Sequence, residues 1–308
     1  MSAASIEARR AQPVTPRASG IVLGEPVVVW SNWDHLEVRT ERDAVLLAHE
    51  AQGHLLDHSM AFLADRYLVT SIGTGIMRTG FKVYDFESGT WPIEFVGPSV
   101  DIGFCGAHPT APLLVNEERE GLALWDVSAG RRLRMLLDAE DLESTGVNAA
   151  AVGGPDGPVA IGTFGEISIL RDGRRALSVQ IDGGDVTALE YDLERSLLLC
   201  GNVNGDVTLL RGNVQGKTAQ GEGEPLDVMY SFAHAGKQIH GIRISPHHRF
   251  AAVLSHEGKA LFMDLEDGRT AERPDVHDVT FCPTDPARVF VASSSGLRRL
   301  AVDSLFSP

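Results

Sequence analysis

Residues 100–137, VDIGFCGAHPTAPLLVNEEREGLALWDVSAGRRLRMLL, decide the fold. Four short runs in them, VDIGFC, APLLVNE, GLALWDV and RRLRML, alternate apolar and polar residues between turn residues, as half-buried antiparallel strands do. The third run opens on Gly121 just after Glu120, where a tight hairpin needs a positive φ. A glycine opening a short apolar strand returns at Gly80, Gly121, Gly165, Gly205, Gly258 and Gly296, with gaps of 41, 44, 40, 53 and 38 residues. A period of roughly 40 residues with several strands per repeat and no long helical pattern is that of a β-propeller, whose blades bury their faces against their neighbours.

Counting outward from this stretch, the repeats fall at about 20–50, 53–96, 99–138, 146–182, 185–233, 234–273 and 276–305. The expectation is an all-β, seven-bladed propeller of four-stranded antiparallel sheets, six or eight blades also being compatible, with residues 1–18 as a flexible tail and 19–308 as one domain. The last repeat has three clear strands, so its fourth is expected from residues 10–18 or from DSLFS near the end. RGNVQGKTAQGEGEPLD at 211–227 lengthens the fifth repeat and reads as a surface loop.

GLALWDVSAGRRL at 121–133 resembles the WD-repeat family, whose third strand ends in Trp-Asp ahead of a glycine turn; Trp125-Asp126 match that pair. Tyr84-Asp85 and Met263-Asp264 are weaker echoes, and Gly53-His54 is similar to the family's Gly-His dipeptide. The aspartate of the family's second hairpin is mostly Glu, Asn or Ser here, so its Asp-His-Ser-Trp hydrogen-bond network is not carried over. The resemblance implies a propeller that acts as a non-catalytic platform for protein partners.

Composition narrows the partners. With 42 acidic against 27 basic residues the net charge is −15, which repels phosphate backbones and anionic lipid surfaces. Neither nucleic acid nor membrane is therefore an expected partner. Cys105, Cys200 and Cys282 have no metal-type spacing, and an odd count favours a reducing compartment over a disulfide framework. No leader or membrane-length apolar run is read in the sequence, so a cytoplasmic location is expected.

Local motifs for chemistry are weak. GNVQGKT at 212–218 is one residue short of a phosphate-binding P-loop and lacks a following helix. His49 and His54 are five residues apart, not four as on a zincin helix, and Gly53 breaks the pattern. No nucleophile elbow or acid–base carboxylate pair is apparent. No cofactor, metal site or catalytic residue is expected. The competing reading is an enzyme or small-ligand receptor that uses the channel mouth, with a metal where two neighbouring histidines meet.

Superposing the first strands of the repeats gives the candidate site. The residue four before the end of each is His58, Val100, Asn148, Thr187, His240 or His277, and Asp57, Asp101, Asp185 and Asp278 lie one or two positions from that register. First strands begin on one side of a propeller beside its channel. His58, Asn148, Thr187, His240, His277, Asp57, Asp101, Asp185 and Asp278 are thus expected to form a polar, acidic rim, titratable near pH 6.5 and suited to gripping a basic segment of another protein.

Overall fold

A computed structural model describes residues 15–32, 35–50, 55–73, 78–96, 104–108, 110–143, 146–171, 173–212, 227–233 and 238–307. The first blade is β1–β4 (Thr15–Val22, Glu25–Ser31, His35–Thr40, Val45–Glu50), and the second is β5–β8 (Leu55–Leu63, Tyr67–Gly73, Arg78–Asp85, Thr90–Val96). The third, β9–β12 (Phe104–Ala107, Leu113–Glu118, Gly121–Asp126, Arg131–Asp138), is followed by a short helix α1 (Ala139–Glu143). A long sheet comes next, β13–β19 (Ala149–Val152, Val159–Gly162, Phe164–Arg171, Arg174–Asp192, Leu197–Asn202, Asp206–Arg211, Asp227–Ala233). The penultimate blade is β20–β23 (Ile239–Ile244, Phe250–Ser255, Lys259–Asp264, Thr270–Pro274). The last is β24–β26 (Asp278–Phe281, Arg288–Ser293, Gly296–Ala301), and helix α2 (Val302–Leu305) ends the fold.

The all-β propeller is as expected, but the count of seven four-stranded blades is corrected. The described strands form five separate blades, four of four strands and one of three, and the remaining strands are a single seven-stranded sheet. The reason lies in β16. Its 19 residues pair with β15 at one end and with β17 at the other, so no break separates the two halves of that sheet. Gly183 and Gly184, with φ of +104° and +88°, bend the strand without ending it.

Local chemistry explains the strands. At Gly121, φ is +135° and a Cβ would stand 2.1 Å from the Leu137 carbonyl oxygen, so only glycine lets the third strand close against the fourth. Ser31, Ser71, Asn116, Asn202, Ser255 and Ser293, all 1% exposed or less, lie at or near the ends of second strands. Asn202 accepts from the Asn204 and Asp206 amides and Ser293 donates to the Gly296 carbonyl, which fixes those turns. The Trp-Asp echoes also carry weight. Arg66 grips Asp85 through two 2.7 Å hydrogen bonds and holds its carboxyl below the usual carboxylate range, and Arg249 grips Asp264 in the equivalent place. Trp125 departs from the family network by donating to Glu118.

Six apolar clusters fill the spaces between consecutive blades and between the halves of the long sheet. Among the described residues, the seam between last and first blades has no comparable cluster of its own. It is joined by polar contacts: the Ser19 amide to Asp278 at 2.6 Å, the Ser19 and Thr280 hydroxyls at 2.8 Å, and Arg299 to Glu41. Of the two segments expected to complete the last blade, Thr15–Ala18 belong to the first blade's inner strand and Val302–Leu305 are helical, while residues 10–14 lie outside the described residues.

Candidate interaction rim

The starts of the inner strands β13, β20 and β24, and the β16 segment from Asp185, bring several expected residues to one side of the ring. His240 and His277 meet there. The His240 ring hydrogen-bonds to the His277 main chain and lies 4.8 Å, centroid to centroid, from the ring of His256. His256 sits in the turn after β21, tied by its amide to the Gln238 carbonyl at 3.1 Å. His240 is exposed as a residue, but the protein packed around its ring pushes its pKa down to about 3, helped by the nearby His256 and Arg243 charges, and packing followed by Arg17 lowers that of His256. Both shifts favour the neutral imidazole.

The other expected residues divide between structural and exposed roles. Asp278 is buried and turned to the seam, where it accepts from Ser19 and pairs with Arg243 at 3.2 Å. The Thr187 hydroxyl donates to the Ile239 carbonyl at 2.5 Å and so stitches β16 to β20. Asn148 is exposed, its amide bonded to the Gly162 carbonyl at 3.0 Å. Asp185 is half-buried in β16 opposite Phe164, and its carbonyl accepts from the Val203 amide at 2.9 Å. Asp57 and His58 lie in β5 with side chains outside the description, and Asp101, His54 and 213–226 lie outside the described residues.

Sequence reasoning missed the apolar part of this face. Phe164 is 78% exposed and Val203 is 38% exposed, each beside a turn that flanks Asp185. A Cβ on Gly184 would stand 3.2 Å from Val203, so the side chain lies against the bent main chain of β16. Exposed Asp182 and half-buried Asp206 adjoin the pair through Asn202, giving two apolar groups in an acidic surround. A signal was available: Phe164 directly precedes Gly165, one of the repeating turn glycines, where an aromatic side chain has no core to enter.

Deeper in the wall, burial pushes the Glu190 carboxyl up to about 8, against the pull of Arg243, and the Cys200 thiol up to about 12. A thiol so held is a small apolar group and not a nucleophile at neutral pH. Among the described residues no group of three or more His, Cys, Asp or Glu side chains is placed to hold a metal ion. Nor is any helix among them long and apolar enough to cross a membrane.

No protein-family model matches the sequence. No curated protein matches it. Solved structures do match in fold. A chain in the crystal structure of the mitotic checkpoint complex superposes with a TM-score of 0.66 at 16% identity, over 93% of this chain and 86% of its own. The β-propeller domain of Cps50 (Swd1) from Myceliophteria thermophila superposes with a TM-score of 0.69 at 14% identity, over 93% of this chain and 97% of its own. At such identities the likeness is one of fold, and it places this chain among β-propellers.

Proposed function

We propose that this protein is a non-catalytic interaction platform that captures a segment of a partner protein on the face where its inner strands begin. The observation that carries the reading is the pair Phe164 and Val203 standing out of the rim on either side of Asp185. An exposed aromatic next to an aliphatic group is an anchor for a partner side chain, and surrounding carboxylates select a basic neighbour to it. The ring is rigid, so the rim is ordered before binding and little conformational entropy is lost on capture. Asn148, His240 and His277 extend the same surface around the channel mouth, and His58, Asp57 and Asp101 share their register in the sequence. That one fold neighbour was solved as part of a complex supports a protein as the partner.

The test compares capture from native extract by wild type, by Phe164→Ala/Val203→Ser and by His58→Ala/His240→Ala/His277→Ala, read by quantitative mass spectrometry. The first variant is expected to lose the partner by about tenfold or more while melting as wild type does, since both side chains are exposed. A partner retained in full by both variants would remove the rim from consideration.

A further inference from the structure

The last blade has an open side. Among the described residues no strand pairs with the outer edge of β26, so its outward N–H and C=O groups are offered to another strand. Beside this edge, between the last and penultimate blades, runs a groove of about 260 Å³. Its floor is Phe262, Val291, Leu300 and Leu305, and Arg273 and Arg298 stand at its sides. The Arg273 guanidinium donates to two main-chain carbonyls, those of Glu272 and Ser307.

We propose that this edge takes up, as a fourth strand, an extended segment of a partner protein in which apolar and acidic residues occupy alternate positions of one face. The pattern follows from register. Arg298 and Leu300 lie two apart on β26, opposite Val291 and Val289, and therefore share the face that looks into the groove. An incoming strand meets Leu300 with an apolar side chain that fills the groove, and two residues away meets Arg298 with a carboxylate. The opposite face asks for less, because Arg299 is already held by Glu41 and lies over the Phe290 ring.

Charge selects this occupant over two others. A second copy of the same edge would set Arg298 and Arg299 against arginines, which is repulsive. The chain's own residues 1–14 bring Arg9 and Arg10 against the single carboxylate of Glu7. With the protein at −15 overall, an acidic segment is turned away from most of the surface, and this arginine-flanked groove is where it is tolerated. The surface is separate from the Phe164 rim, and Phe164→Ala/Val203→Ser leaves it unchanged.

The experiment uses the full chain with a short fluorescein-labelled peptide alternating valine and glutamate, and a second peptide with lysine in place of glutamate. Fluorescence anisotropy is expected to show binding of the glutamate peptide only, and hydrogen exchange to show the outward-pointing Leu297, Arg299 and Ala301 amides fast in the free protein and slowed by that peptide. Arg273→Glu/Arg298→Glu should weaken it by about tenfold or more and shift preference to the lysine peptide; Arg298→Glu alone, at an exposed site, should do so in part. Equal binding of the two peptides, or no binding of either, overturns the proposal. So do outward-pointing amides of β26 that are already slow in the free chain, because the edge would then be covered from within.

Discussion

Two places in the ring face the same task, joining one set of strands to the next, and solve it differently. At the middle of the long sheet the chain crosses as one unbroken strand, β16, and groups from both sides bond to the crossing: the Asn202 and Asn204 side chains donate to the Asp182 and Gly183 carbonyls, and the Val186 amide donates to the Thr163 carbonyl. At the seam between the last and first blades no strand crosses, and a few polar contacts around Ser19, Asp278 and Glu41 do the joining. The first junction is local in sequence and costs little loop closure; the second brings together residues more than 250 positions apart. The seam is therefore the place where the ring should open first.

The largest effect is expected at Asp278. Its carboxylate is 1% exposed and satisfies both the Ser19 amide and Arg243, so Asp278→Ala leaves a buried N–H without its acceptor and a guanidinium without its counter-charge. A loss of about 2–3 kcal/mol is expected in urea unfolding, with faster hydrogen exchange confined at first to β1 and β24. Uniform loss of protection around the ring would contradict the idea of a weak seam.

A smaller effect is expected at the crossing. Gly183 has φ of +104°, and a Cβ there would stand 2.2 Å from the Asn202 amide nitrogen. Gly183→Ala should cost about 1–2 kcal/mol by straining the main chain and pushing Asn202 from its turn. If the continuity of β16 is what holds the two halves together, Gly183→Ala will loosen them both in hydrogen exchange and leave the seam untouched.

The same contrast explains what could be read before the structure was known. Strand alternation and the repeating glycines are local, and Gly121 and Gly205 do take the positive φ that a hairpin demands. The adjacency of His240 and His277 was legible too, because equivalent positions of neighbouring repeats are neighbours in a ring. The continuity of β16 was not. Gly183-Gly184 has the composition of a boundary, and what keeps it in the ladder are bonds from Thr163, Asn202 and Asn204, which propensity does not register. The inward turn of Asp278 was hidden for a similar reason, since it depends on a contact with Ser19 at the far end of the chain.

The smallest effect concerns pH and lies between the two junctions, at β20. His240 has a pKa pushed down to about 3 in the folded protein, against about 6.5 when the chain is unfolded and the ring is in water. Above pH 6.5 both states are neutral at this position and it contributes no pH dependence. As pH falls below 6.5 the unfolded chain takes up a proton that the folded one refuses, so stability declines, and the decline ends near pH 3, where the folded ring also charges. Because His240 is exposed as a residue, the slope is expected to be shallow. It should vanish in His240→Asn, measured as urea midpoints between pH 7 and pH 4 against wild type. An unaltered slope in that variant would place the acid sensitivity away from β20 and remove His240 as its source.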